Sequence, residues 1–520
     1  MMPHHLFSVL LKKAFAELLQ ERGVQETVPD EGRRKFLRDA ALLGGGLTLA
    51  PSLIHSGSVA KKPASGSHIA IIGAGIAGLN ACYQLKKAGI HSTIYERSDR
   101  VGGRMFTKRN LFGEGITTDI GGEFVDSAHA DIIQLVGELG LSFYDLRKDP
   151  LDPKELYFGG RHIPNAELKT ALAPFLGRLV EDVKSLPEKI NYQTADQFRQ
   201  LDNLSITEYI RGLGIGGWLY DFIDLVLTRE YGMEASEQSA VNFLIMFQPP
   251  VKEGSYYELF GDDHEVFKIK GGSQRLTDAL EDRLSGQIRL NHRLSGIKKD
   301  SGTGYRLAFE KAGTILDIPA DYVLITLPFS ILRNIPLDVD LPEGKRKCID
   351  EIGYGNSCKF ILGMQDKPWR KSGRQGYTFT DLSFGAGWDS SQSQTGGGAS
   401  FTIFGGGRFG AEMARRKESE SIADFIPALE TIYPGSQKAF TGKSIRFCWE
   451  KNPMSQAGYS SFKKGQWSSL AGWEALPVGN LFFAGEHVSG EFQGYMNGGA
   501  QTGRVAASLI AEKIRKVQSS

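Results

Sequence analysis

The sequence predicts an α/β fold: a Rossmann-like dinucleotide-binding domain assembled from three separated segments, joined to a mixed α+β substrate domain that includes a helical insertion. Three observations predict it. The turn Gly73-Ala74-Gly75-Ile76-Ala77-Gly78 follows an apolar run over 69–72 and opens into a helical pattern. The run Tyr322-Val323-Leu324-Ile325, ahead of Thr326-Leu327-Pro328, is β-rich and apolar, the kind of strand buried in a central sheet. Asn480-Leu481-Phe482-Phe483-Ala484-Gly485-Glu486 reads as a buried strand ending in a loop, with a last helix over 498–514.

In the first segment each glycine of the turn has its own task. Gly73 permits the tight turn, Gly75 lets backbone N–H groups approach a pyrophosphate at a positive helix end, and Gly78 lets helix and strand pack closely. Glu96 closes the next apolar run, Thr93-Ile94-Tyr95, at the roughly 20-residue spacing where a carboxylate accepts ribose hydroxyls. In a chain with 63 glycines the bare pattern is weak. Strand before, helix after and acid at the right distance together point to a bound adenine dinucleotide, the alternative being a structural glycine turn.

The remaining elements follow in order. Residues 1–60 form a signal region, 61–128 the first dinucleotide-binding segment, 129–262 a helical part of the substrate domain and 263–330 the second binding segment. Residues 331–474 are sheet-rich, and 475–520 hold the third binding segment and the C-terminal helix. Helical periodicity covers 131–141, 168–186, 205–213 with the capping pair Ser205 and Glu208, 218–231 and 273–284. Residues 390–398 are a polar, glycine-ending loop with no assignable chemistry.

With 520 residues the chain can bury a large core in two or three domains. Sixty-one Lys plus Arg against 60 Asp plus Glu leave a formal charge of +1, so no global field favours nucleic acid or an acidic membrane. Partners must be read from sites. Cys82, Cys348, Cys358 and Cys448 show neither a CxxC pair nor zinc spacing. They read as small buried residues, and no metal is expected.

The N-terminal region reads as an export address. Arg33-Arg34-Lys35-Phe36-Leu37 precedes a weakly apolar stretch over 40–54, broken by Gly44, Gly45, Gly46 and Pro51, and then Ser58-Val59-Ala60. This resembles the bacterial twin-arginine signal. The stretch is short of the roughly 20 apolar residues a spanning helix needs, so a cleaved signal is expected rather than a stable membrane anchor. The expected location is the periplasm or the exterior, with the twin-arginine machinery as a partner. Residues 1–32 include an amphipathic stretch (Leu6, Val9, Leu10, Phe15) that leaves a retained signal open.

At Glu96-Arg97-Ser98-Asp99-Arg100-Val101-Gly102-Gly103-Arg104 the sequence resembles the flavin-containing amine oxidase family. Further blocks agree in order: Asp119-Ile120-Gly121-Gly122, Lys270-Gly271-Gly272, the apolar run ending at Pro328, Phe483-Ala484-Gly485-Glu486, and Gly494-Tyr495-Met496-Asn497-Gly498-Gly499. The resemblance implies FAD as the dinucleotide. It places Ala77, Arg97, Gly103, Arg104 and the Gly121-Gly122-Glu123 backbone against the pyrophosphate and flavin, Leu294 against adenine, and Gly485 and Glu486 near the ribityl chain. Tyr495 and Met496 follow Gly494 at a helix start, where free N–H groups suit the flavin edge that becomes anionic on reduction.

The resemblance also implies the chemistry. A hydride passes from the carbon bearing a neutral amine to flavin N5, O2 reoxidises the flavin with H2O2 as product, and water hydrolyses the imine. Three catalytic residues are implied. Tyr459 and Tyr495 match the two tyrosines that flank the flavin, and Lys359 matches the lysine that binds a water at N5. For Lys359 the plain alternative is an outward, solvated lysine on an alternating strand. Gly458 stands where covalent-flavin members carry cysteine, so FAD should be non-covalent.

Substrate signals diverge. Many L-amino acid oxidases of the family place an arginine shortly after the second glycine pair, whereas here Gly122 is followed by Glu123-Phe124-Val125-Asp126. That favours a cationic or neutral amine, with Phe124, Tyr459 and Tyr495 lining its site. The C-terminal blocks are instead similar to bacterial oxidases of basic amino acids. Glu123 and Asp126 would bind a guanidinium or second amine, the plain alternative being solvated loop carboxylates. The expected activity is oxidative deamination of a primary amine, polyamine or basic L-amino acid, with a homodimer left open. Rival readings are an amine dehydrogenase using a quinone, a tryptophan 2-monooxygenase-like enzyme and a non-catalytic flavin-binding interaction protein.

Overall fold

In the computed structural model, which describes residues 67–247, 265–300 and 302–519, the strand Ile69–Ile72 is central to a five-stranded parallel sheet. Thr93–Tyr95 and then Ile288–Arg289 extend it on one side, Tyr322–Ile325 and then Leu481–Phe483 on the other. Strands from three distant stretches of chain thus share one sheet, as the fold class expected from sequence requires. Ile69–Ile72 and Tyr322–Ile325 are buried along their whole length, which is why both read as continuous apolar runs.

Small residues let the covering helices come close. The helix Ile76–Lys87 packs on the C-terminal helix Met496–Ser519, where a Cβ on Gly503 would come within 2.2 Å of the Ala77 carbonyl oxygen. A separate four-stranded sheet brings Phe309 onto Tyr95, stacked at 4.6 Å.

The substrate side is built on a seven-stranded sheet. Its order is Phe440–Cys448, Cys358–Met364, Ala399–Gly405, Ala386–Asp389, Arg374–Thr380, Asp152–Phe158 and Arg161–His162. Asp152–Phe158 and Arg161–His162 lie inside the stretch read from sequence as helical, because Asp152–Phe158 finds a parallel partner in Arg374–Thr380 more than 200 residues away. The helix expected over 168–186 is two, Asn165–Leu172 and Leu176–Ser185, separated at Ala173-Pro174-Phe175, where proline offers no N–H to an α-helical ladder. The capping box at Ser205 and Glu208 forms as expected.

All four cysteines are buried, as expected, but two of them are paired. Cys358 and Cys448 stand opposite each other on adjacent antiparallel strands and are joined in a disulfide, while Cys82 and Cys348 are buried and free. Register across the sheet brings the pair together, and no sequence spacing announces it. The signal region and its twin-arginine stretch lie outside the described residues. Among the described residues no helix is long and apolar enough to cross a membrane.

Candidate active site

A cavity of about 500 Å³ begins at the glycine turn and ends at the start of the C-terminal helix. Gly73 has φ +110°, and a Cβ there would lie 2.7 Å from Thr326 Oγ1. Gly75 precedes the first helix and has open space where a Cβ would point, so backbone N–H groups face the cavity unobstructed. Gly78 lines neither this cavity nor the smaller one beside it; its Cβ would fall 2.0 Å from the Gly73 carbonyl oxygen, so its task is packing. Ala77, Arg97, Gly103, Leu294, Gly485 and Met496 all line the large cavity.

Glu96 lines it as well, with its carboxylate tied to the turn. One oxygen accepts from Ala74 N (2.7 Å), the other from Ser98 N (2.8 Å) and Ser98 Oγ (2.9 Å). Arg97 donates to the Pro453 carbonyl at 3.0 Å.

At the far end Arg104 donates to Glu486 Oε1 (2.9 Å) and to the Gly458 carbonyl (2.7 Å). Glu486 also accepts from Ser460 Oγ and Gly494 N, at 2.8 and 2.9 Å. Burial alone would raise its carboxyl; nearby positive charge, that of Arg104 foremost, and the Ser460 hydrogen bond outweigh that and hold it down to about 2.

A smaller cavity, about 40 Å³, adjoins the large one and shares Arg104, Trp449, Tyr495 and Met496 with it. Gly121, Glu123, Phe124, Lys359, Trp388 and Tyr459 are among its walls. Gly122 is not; its N–H donates to the Arg104 carbonyl. The Tyr459 hydroxyl donates to the Arg229 carbonyl at 2.9 Å, and the Tyr495 ring meets His129 edge-on at 4.9 Å. Complete burial drives the Tyr459 phenol well above its ordinary range, so it stays protonated.

Lys359 is buried, which overturns the reading as a solvated lysine. Its strand, Cys358–Met364, is covered on both faces, and its ammonium donates to Asp119 O (2.9 Å), Gly121 O (3.0 Å) and Glu123 Oε2 (2.8 Å). Glu123 is no solvated loop acid either. Its other oxygen accepts from Lys268 Nζ at 2.7 Å, and although burial pulls the carboxyl upward, Lys268 and Lys359 hold it below its usual range. Asp126 is likewise buried; it accepts from Glu265 N at 2.8 Å and lies 3.5 Å from His129 Nε2. A substrate cation would therefore find Glu123 already engaged by two ammonium groups.

A model of the family described as Flavin containing amine oxidoreductase matches residues 76–511. The chain belongs to this family. It is 23% identical over 479 residues to an L-amino-acid oxidase of Bungarus fasciatus, covering 88% of this chain and 89% of that one. A flavin-dependent L-tryptophan oxidase of Lentzea aerocolonigenes is 24% identical over 469 residues, covering 81% and 93%. Among solved structures, wild-type putrescine oxidase bound to putrescine matches with TM-score 0.73 at 20% identity, covering 85% of this chain and 98% of that one. Cyclohexylamine oxidase from Brevibacterium oxydans IH-35A gives the same TM-score over 86% and 99%. At these identities the structural likeness establishes the shared fold.

As a member of this family the protein is an FAD-dependent amine oxidase, and its substrates are small-molecule amines or amino acids. The cavity suits FAD on its own terms: an open Gly75, two helix N-termini lined by Ala77 and Met496, and an acid at the expected ribose position all face it. Sequence reasoning missed Lys268, Glu265, Trp388 and Trp449. A lysine between Phe267 and Ile269 was the one available signal; the others come from strands and loops whose pairing is not local.

Proposed function

We propose that the protein oxidatively deaminates a primary amine, polyamine or basic L-amino acid, with O2 as acceptor and H2O2 as product, using non-covalent FAD. The observation that carries this reading is the small aromatic-walled cavity holding Lys359, which opens onto the cofactor cavity at Tyr495 and Met496. When bound, FAD accepts the hydride from the carbon bearing the amine. Tyr459, Tyr495, Trp388 and Phe124 orient the amine and exclude water, so a neutral amine needs no strong side-chain base. Lys359 contributes a fixed buried charge during reoxidation.

Two observations support a cationic amine over a plain amino acid. Asp126 and Glu265 give the small cavity an acidic wall beside the Phe124 and Trp388 rings, which themselves face the Lys268 and Lys359 ammonium groups. Among the described residues the one arginine lining the small cavity, Arg104, is turned to Glu486 and the Gly458 carbonyl rather than offered as a carboxylate clamp. Gly458 carries no thiol, which supports non-covalent cofactor. Export by the twin-arginine route to the periplasm or exterior is supported by Arg33-Arg34 and by the Cys358–Cys448 disulfide, which suits an oxidising compartment.

Anaerobic addition of amines and L-amino acids to the holoenzyme tests the reading. Bleaching of the flavin by an amine, followed on admission of air by one peroxide per turnover, is expected. An unchanged spectrum across the panel would remove amine oxidation, and bleaching without peroxide would move the acceptor to a quinone.

A further inference from the structure

Two buried lysines share one carboxylate beside the reacting end of the cofactor cavity. Glu123 gives one oxygen to Lys268 at 2.7 Å and the other to Lys359 at 2.8 Å. All three residues are at most 5% exposed. Lys268 lies on the middle strand of a three-stranded sheet, Phe267–Ile269, in register with Phe124, and also donates to the Ser390 carbonyl at 2.6 Å. That bond gives the polar loop over 390–398 a purpose its sequence did not suggest.

The donors of Lys359 are fully committed, to Asp119 O, Gly121 O and Glu123. Its ammonium has no further proton to offer, so what it brings to the cavity is charge. A single carboxylate facing a single lysine would cancel that charge. One carboxylate divided between two lysines does not. Among the described residues neither ammonium donates to another nearby acid's carboxylate: Asp119 accepts from Thr107 and Ser273 through its side chain, and Asp126 and Glu265, which form the acidic wall of the cavity, accept from Glu265 N and Tyr377.

We propose that Lys268 is a positioning residue for the oxidative half-reaction: by holding one oxygen of Glu123 it keeps that carboxylate from cancelling the Lys359 charge. The proposal rests on the amine oxidase reading and adds to it a residue that touches neither cavity wall. Reoxidation moves two electrons from the reduced cofactor to O2, which takes two protons, one carried with the transferred hydride and one from solvent, and leaves as H2O2. The first electron makes superoxide, an anion, and a preorganised buried cation stabilises it far more than water does.

The test uses holoenzyme carrying Lys268→Met, Lys268→Arg or Glu123→Gln, with sulfite affinity and flavin midpoint potential as readouts that need no amine. In Lys268→Met sulfite should bind about tenfold more weakly and the potential should fall by about 30 mV, the two-electron equivalent of tenfold. Reoxidation by O2 should slow in parallel. Lys268→Arg should restore all three, and Glu123→Gln, which removes the negative partner, should shift sulfite affinity and potential in the opposite direction. Wild-type values in Lys268→Met would overturn the proposal. So would shifts of the same sign in Lys268→Met and Glu123→Gln, which would mean general disruption. Should Lys268→Met fail to fold, weaker sulfite binding in Glu123→Gln would still refute it. Anaerobic bleaching of the wild type by amines reports separately on the amine oxidase reading.

Discussion

A Cβ on Gly458 would lie 2.7 Å from the Cβ of Ser357, so the residue before the first active-site tyrosine has room for a hydrogen only. Absence of a thiol here is therefore more than a missing nucleophile: the backbone of residues 356–357 fills the space a side chain would take. Gly458→Cys is expected to lose stability by about 1–3 kcal/mol through overpacking and to gain no covalent flavin. Acid precipitation checks this. Yellow colour left in the supernatant for both wild type and variant is the expected outcome, and a coloured pellet from the variant would contradict it.

Gly75 and Gly78 separate binding from packing. A side chain at Gly75 would enter open cavity, whereas one at Gly78 would meet the Gly73 carbonyl at 2.0 Å. Gly75→Val should leave the melting temperature of the apoprotein nearly unchanged while weakening FAD at least tenfold, about 1.4 kcal/mol. Gly78→Ala should lower the melting temperature of the apoprotein itself. Calorimetry and flavin titration on the same preparations distinguish the two.

The Arg104–Glu486 pair makes stability depend on acid. The Glu486 carboxyl is depressed from 4.5 to about 2 in the folded chain, so its contribution is fully present above the unfolded value and is lost as pH falls from about 4.5 through 2. Relative to Glu486→Gln, the wild type should hold a constant advantage above about pH 5 that shrinks below it. Denaturant unfolding at a series of pH values measures the difference.

Lys359→Met removes a buried positive charge from the wall of the small cavity. Reoxidation of the reduced flavin by O2 should slow by about 10²-fold, the scale of losing one preorganised electrostatic group, while anaerobic reduction by amine changes little. Stopped-flow measurement of the two half-reactions checks it. Normal reoxidation would assign Lys359 to structure alone.

What was legible in the sequence was local. Gly73, Gly75 and Gly78 act within one turn, Ser205 and Glu208 within one helix start, and the runs beginning at Ile69, Tyr322 and Leu481 carry their burial in their composition. The family blocks singled out Ala77, Arg97, Gly103, Gly485 and Met496, which line the large cavity, for the same reason. Features made by distant pairing escaped. Cys358 and Cys448 meet through strand register across a sequence separation of 90. Glu123 read as a solvated acid because both of its lysines come from elsewhere, Lys268 from a three-residue strand and Lys359 from the far sheet. Asp152–Phe158 was hidden in a helical stretch because only its parallel partner makes it a strand.

The sheet that carries the cofactor takes its outer strand, Leu481–Phe483, and a covering helix from the last part of the chain. On the ribosome the first βαβ unit emerges long before these pieces exist, so the cradle cannot close until nearly the whole polypeptide has been synthesised. Folding must then search for contacts hundreds of residues apart, the slow regime for any topology. Flavin loading is in consequence a late, post-translational event, and a nascent chain stalled before residue 481 would hold no pigment.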